Sequence, residues 1–372
     1  MRRAALLVAA AAALGVPACI LDLDGLTGGA PGGAGAGGDG AGGDGAGGNG
    51  GGGGGACVAC ALCEGTCDGA DCTRIADTPD AVVAFRVAAA AGAVYTSDPQ
   101  ADAILRLVPG QPAVSLPVAV KPHAIAATSA HIFFSTENSG MYRCDLPDCA
   151  QLAQLSPSPD AVARQIVADE THLWWVKGPD LSSGKVLRCT INDCVLQEIQ
   201  ANLNRPHGIA MDAEHVFWTE HGNEGANAGV IYRAEKSGAG LTAYLSGLNG
   251  PSGIALTPTH VYFTLGLYEG KIYRCARGAV DCGPAEEVTP PAVPVATPVR
   301  SPFSIAVAGE RVYWTNDGDA TVMSCPTVGC ATNPGGFPDL LAAAQSTPSG
   351  VIAPGGCVLW ASSDGLYAAP AR

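Results

Sequence analysis

Pro206-His207-Gly208-Ile209-Ala210-Met211-Asp212-Ala213-Glu214-His215-Val216-Phe217-Trp218-Thr219-Glu220 reads as a β-hairpin. Two short apolar runs, Ile209-Ala210 and Val216-Phe217-Trp218, flank the polar turn Asp212-Ala213-Glu214, the pattern of paired strands and a tight connection. The same text recurs along the chain. Aromatic-rich strands stand at Val94-Tyr95, Ile132-Phe133-Phe134, Leu173-Trp174-Trp175, Val261-Tyr262-Phe263, Val312-Tyr313-Trp314 and Val358-Leu359-Trp360. Seven residues before each begins Val87-Ala88, Ile125-Ala126, Ile166-Val167, Ile254-Ala255, Ile305-Ala306 or Val351-Ile352. The offset holds without a gap in all copies, seven with the one at Ile209.

A third strand follows each hairpin, at Ala103 to Leu107, Met141 to Arg143, Lys185 to Arg188, Val230 to Arg233, Lys271 to Arg274, Thr321 to Met323 and Gly365 to Tyr367. A weaker fourth precedes the next proline, as in Gln151 to Leu155 and Leu241 to Leu245. Four short strands at a period of about 43 residues are the signature of a propeller blade. The expected fold is all-β: a seven-bladed β-propeller of four-stranded antiparallel blades over residues 72–372. No helical period separates the strands, which excludes a parallel α/β sheet. The last copy stops after its third strand, while Thr73-Arg74-Ile75-Ala76 lies ahead of the first copy as an orphan. The N-terminal strand is therefore expected to complete the last blade and remove the free edges.

Composition narrows the function. The 372 residues carry 20 basic and 34 acidic side chains, a net charge of −14. That balance repels phosphate backbones and anionic headgroups, so neither nucleic acid nor a membrane surface is an expected partner. No apolar run reaches the length of a membrane span. Arg2-Arg3, the apolar run Ala4 to Leu14 and Val16-Pro17-Ala18-Cys19 have the layout of a secretory signal. A small residue before a cysteine resembles the lipobox of bacterial lipoproteins, although Val16 and Pro17 stand where that family prefers leucine and a small residue. The resemblance implies residues 1–19 as signal peptide and lipobox, with Cys19 acylated as the mature N-terminus; simple cleavage is the alternative. Ile20 lacks the aspartate that retains many lipoproteins in the inner membrane, so the outer membrane is expected. Residues 20–56 form a tether, with many of the chain's 50 glycines concentrated there; such a segment cannot offset its own ordering entropy.

Fifteen cysteines in an exported chain leave one over, and acylation of Cys19 makes the remainder even. Four pairs recur at one place in the blade: Cys144 with Cys149, Cys189 with Cys194, Cys275 with Cys282, and Cys325 with Cys330. Each would clip the end of strand three to the start of strand four. Cys67 and Cys72 have the same spacing, and Cys57, Cys60, Cys63 and Cys357 remain for two bridges of open pairing. In residues 57–71, Cys57, Cys60, Cys63 and Cys67 also have ferredoxin-type spacing. Export, Asp68 in place of the usual proline and the partner available to Cys67 weigh against a metal there. No resident metal or cofactor is expected.

Val312-Tyr313-Trp314-Thr315-Asn316 and Val216-Phe217-Trp218-Thr219-Glu220, each followed by a third strand such as Ile231-Tyr232-Arg233, resemble the YWTD propellers of lipoprotein-receptor ectodomains. The openings Pro206-His207-Gly208-Ile209-Ala210 and Pro251-Ser252-Gly253-Ile254-Ala255 are more similar to NHL-type bacterial propellers, including the streptogramin lyases. Seven copies favour the latter. The resemblance implies a blade and not an activity.

Four of the seven histidines, His131, His172, His215 and His260, immediately precede the aromatic strand and mark a turn position. Arg106, Arg143, Arg188, Arg233 and Arg274 likewise recur, and are expected to hydrogen-bond neighbouring blades. The column two residues before the Ile-Ala pair diverges instead: Phe85, His123, Arg164, His207, Ser252, Phe303 and Ser349. It lies where the innermost strand begins, at the channel mouth. With Glu220 and His221 on the loop after an aromatic strand, the expected ligand site is Phe85, His123, Arg164, His207, Glu220 and Phe303, a mixed apolar and polar mouth. The leading expectation is a monomeric, non-catalytic recognition propeller for a peptide, glycan or small ligand, touching the membrane only through its lipid. The alternative implied by the streptogramin-lyase resemblance is a lyase, with His207 as general base beside Glu220 or His221 and a divalent metal polarising a substrate carbonyl. A scaffold presenting apolar loop tips is a third reading, and few such tips are expected.

Overall fold

The computed structural model describes residues 73–77, 87–108, 111–136, 140–178, 183–223, 227–266, 270–278, 280–289, 301–354 and 357–371. The expected signal and acylation at Cys19, the expected tether, the segment 57–71 and Phe85 lie outside them. Seven four-stranded antiparallel sheets are present, each in the order inner, aromatic, third and outer strand. Blades 1 to 6 span 87–117, 122–156, 165–203, 206–248, 251–287 and 302–342. In blade 7, strand β1 (Thr73–Asp77) pairs with Gly365–Pro370, the third strand of the C-terminal copy. The orphan strand does close the ring, and the outermost edge of the last blade is covered by the chain's own N-terminal part.

The aromatic strand explains why blades stack around an axis. Its successive side chains point to opposite faces of the sheet. Trp218 therefore enters the apolar cluster shared by blades 3 and 4, whereas Phe217 enters the one shared by blades 4 and 5. Trp314 and Tyr313 divide in the same way between the flanking clusters of blade 6. Seven such inter-blade clusters surround the axis, so the core is a ring of seams and not a single centre. Trp174, Trp175, Trp218, Trp314 and Trp360 are fully buried, each removing a large apolar surface from water.

Polar side chains cross the same seams. The recurring arginines donate to turn carbonyls of the following blade: Arg143 to Ile191 at 3.0 Å, Arg188 to Lys236, and Arg274 to Thr327 at 2.6 Å. Lys236 of blade 4 also pairs with Asp169 of blade 3 at 2.8 Å, and Arg277 of blade 5 with Asp212 of blade 4. The hydroxyl closing the aromatic strand is a second bridge. Thr219 accepts from the Gly208 N–H of its own inner strand at 2.8 Å and donates to Ser252 C=O of the next blade at 2.7 Å. Ser97 donates to His123 C=O of the next inner strand, and Ser135 and Thr315 to Ala163 and Ser349 C=O just ahead of theirs. The threonine of the Trp-Thr pair thus satisfies two buried backbone groups at once.

The four disulfides expected at the outer turns form. Cys144 bonds Cys149 with a Cα–Cα distance of 4.7 Å, and Cys189 bonds Cys194 at 4.5 Å. Cys275 bonds Cys282 at 5.7 Å, and Cys325 bonds Cys330 at 4.9 Å. All four distances lie in the range a disulfide can span. The fifth expected pair is different: Cys67 and Cys72 both lie outside the described residues, so the structure does not bear on that bridge. Cys57, Cys60 and Cys63 lie outside them as well, while Cys357 is disulfide-bonded. Val195, Val280 and Val328 are exposed on or beside three of the clipped turns, each on a separate blade. Among the described residues no helix is long and apolar enough to cross a membrane.

Candidate functional site

The divergent column sits in a β-bulge. Pairing of inner and aromatic strands slips between Pro122 and Ile125, Pro206 and Ile209, Pro251 and Ile254, and Pro302 and Ile305. His123, His207, Ser252 and Phe303 occupy the slipped positions, and a bulge re-aims its side chains away from the pleat. Arg164 precedes the inner strand of blade 3, held by its N–H on Val176 C=O at 2.8 Å.

Arg164, His207 and Phe303 come together although they start on blades 3, 4 and 6. Arg164 Nη2 donates to His207 Nε2 at 2.6 Å. The His207 ring meets Phe303 edge-on with centroids 4.7 Å apart, and the Arg164 guanidinium carbon is 5.8 Å from the Phe303 ring centre. Such packing suits the negative face of an aromatic ring. His207 is only 7% exposed. Burial, then the adjacent Arg164 and His221, hold its imidazole well below the ordinary histidine range, so it is neutral at pH 7 and accepts at Nε2. Burial likewise pulls Arg164 down to about 10. Its Nε is buried without a hydrogen-bond partner, and no described carboxylate pairs with it.

Beside this cluster opens a recess of about 260 Å³. Three repeat columns build it. Before the proline stand Arg205, Gly250 and Ser301; at the bulge His207, Ser252 and Phe303; after the aromatic strand His221, Gly266 and Asp317; all but Gly250 line the recess. The third column is tied to the first by backbone bonds from His221 N–H to Arg205 C=O, Gly266 N–H to Gly250 C=O and Asp317 N–H to Ser301 C=O, at 3.0 to 3.2 Å. Blade 5 carries the small residue in every column, and the recess lies over it, walled by blades 4 and 6. Gly250 is required twice. Its φ is +68°, and a Cβ there would approach His221 Nε2 to 2.7 Å. Arg205 and Ser301 take the same left-handed backbone without glycine, at φ +55° and +51°, a strain that tends to collect at functional sites. Partial burial raises the Asp317 carboxyl above its ordinary value.

Of the expected site, the structure gathers Arg164, His207 and Phe303, with His221 beside them. Glu220 does not line the recess: its carboxylate accepts from Asn204 N–H at 2.7 Å and Tyr232 O–H at 3.0 Å. It neighbours His221 in sequence and, by strand alternation, faces the other way. His123 is partly buried outside the recess lining. The expectation missed Arg205, Ser301 and Asp317. The coincidence of three small residues in one blade was the available signal. Among the described residues no group of three His, Cys, Asp or Glu could hold a metal ion.

No protein-family model matches the chain, and no curated protein does. Solved structures do match. A catalytically inactive virginiamycin B lyase from Staphylococcus aureus with quinupristin superposes with a TM-score of 0.59 at 16% identity, covering 80% of this chain and 98% of that one. An oligogalacturonate lyase from Vibrio parahaemolyticus gives 0.55 at 12% identity, with 80% and 91% covered. A chain of the mitotic checkpoint complex gives 0.59 at 9% identity, with 81% and 96% covered. The chain is a seven-bladed β-propeller. Lyases and assembly subunits share that scaffold, and likeness at such identity carries no activity.

Proposed function

We propose that this propeller is a non-catalytic, monomeric binding protein, exported and lipid-anchored through Cys19 to the cell envelope at the outer membrane, and that it takes a small ligand at the channel mouth without a resident cofactor. The observation that carries the reading is the recess over blade 5, where three repeat columns shrink together while their neighbours on blades 4 and 6 supply rings and charges. Repeat positions that merely hold a blade converge; these diverge around a concavity, the usual form of a ligand site.

Two arrangements favour binding over lyase chemistry. His207 Nε2 is occupied by Arg164, and a base needs its lone pair aimed at the substrate proton. The Glu220 carboxylate is engaged by Asn204 and Tyr232. The test is a small-molecule screen by thermal shift and histidine-resolved NMR on the full chain. Saturable ligands that perturb His207 and His221 are expected, with Phe303→Ala weakening them about tenfold, the worth of one aromatic contact. Linearisation of quinupristin in the presence of a divalent cation would overturn the non-catalytic reading. A screen that leaves both histidines unmoved would overturn the site.

A further inference from the structure

We propose that the recess recognises a small monocarboxylate that also carries a hydrogen-bond donor, an α-hydroxy or α-amino acid or its derivative, with the carboxylate on Arg164 and Arg205 and the donor on Asp317. The inference rests on the binding-site reading above and names the ligand class for that site. Charge on the walls is unevenly placed. Arg164 of blade 3 and Arg205 of blade 4 line one side, Asp317 of blade 6 the other, and the floor between is Ser252 and Gly266 of blade 5.

Arg164 is the deciding group. A guanidinium presents donors in a planar fork that matches a carboxylate, and a buried charge without a counter-charge is costly. Here the described partner is a neutral imidazole, and Nε remains buried and unused. A buried, unused Nε is shared by the seam arginines Arg106, Arg143 and Arg233, but Arg143 and Arg274 place their terminal nitrogens on carbonyls, whereas Arg164 lines the recess with only a neutral imidazole as its described partner. Phe303 on its flank offers an apolar face to the carbon skeleton. At about 260 Å³ the recess is smaller than a drug-sized pocket, so one residue-sized unit enters and an extended peptide or oligosaccharide does not. Inorganic phosphate is disfavoured by the Asp317 wall.

The experiment titrates the full chain with lactate, 3-phenyllactate, alanine and phenylalanine, with the neutral amide of each, and with inorganic phosphate. Imidazole signals of His207 and His221 report the site. At least one acid is expected to bind at least tenfold more tightly than its amide, and Arg164→Gln to erase that preference while Arg164→Lys keeps part of it. Should Arg164→Gln fail to fold, the acid-to-amide ratio on the native chain decides alone. Equal binding of acid and amide, a preference that survives in folded Arg164→Gln, or phosphate binding as tightly as the acids overturns the carboxylate assignment. If neutral ligands from the wider screen still move both histidines, the binding site stands and only its ligand class falls; if nothing moves them, both fall.

Discussion

Arg188 and Arg164 belong to the same blade and meet opposite fates. At the outer seam, Arg188 donates to Lys236 C=O of blade 4 and to Gln197 at 2.7 Å, and lies over the Trp174 ring. At the mouth, Arg164 has a neutral imidazole and a phenyl edge, and no described carboxylate balances its charge. The seam position recurs as arginine in five copies, and Arg143, Arg188 and Arg274 there grip the turn of the next blade. The mouth position changes identity in every neighbouring copy because no blade needs it to fold. One region uses charge to hold the ring together; the other leaves a charge facing a neutral imidazole among the described residues.

Variants at the seams and the ring closure should therefore cost stability, and mouth variants should not. The largest effect is expected on replacing the β1 residues Thr73–Asp77 by a Gly-Ser linker. Blade 7 then loses its outer strand, and cooperative thermal unfolding followed by circular dichroism should be replaced by a broad, early transition. Arg188→Ala is next, at about 2–3 kcal/mol in urea unfolding, the loss of charge-assisted hydrogen bonds. Thr219→Val should cost about 2 kcal/mol, since the Gly208 N–H and Ser252 C=O lose their shared hydroxyl.

Acid should act on the seams as well. Asp169, partly desolvated but held by Lys236 and by Thr171 and His172 N–H groups, has a carboxyl lowered to about 2. Its folded value lies below the unfolded one, so its stabilisation is full above about pH 4 and is lost as the pH falls towards 2. At neutral pH it amounts to about 2 kcal/mol, and Asp169→Asn should flatten that part of the stability profile. The smallest effect belongs to the mouth. Arg164→Met should fold within about 1 kcal/mol of the native chain, or more stably, because an apolar side chain replaces an unbalanced buried charge. A loss as large as that of Arg188→Ala would erase the distinction between the two regions.

The hairpins were legible because pairing is local. Ile209 meets Trp218 and Ala210 meets Phe217 across a short turn, so an offset of seven residues fixes both register and face. The clipped turns, the seam arginines and the closing strand were legible for the same reason: they repeat, and repetition reveals a structural task. Arg164 and His207 were legible as exceptions to the repeat. Their contact with Phe303 was not, because three blades must be set around an axis before side chains from opposite sides of the ring can touch. Which of Glu220 and His221 faces the recess was not legible, since only the bulge and the loop bonds turn His221 towards it and leave Glu220 on Asn204 and Tyr232.

The amino-acid sequence by itself determined the strands, their pairing within each blade, the number of blades and the N-terminal closure, since each follows from short-range periodicity and apolar burial. Only the tertiary structure decided where the repeat leaves a hole. That depends on long-range closure, which brings Ser252 and Gly266 of blade 5 under the charged and aromatic walls of blades 3, 4 and 6.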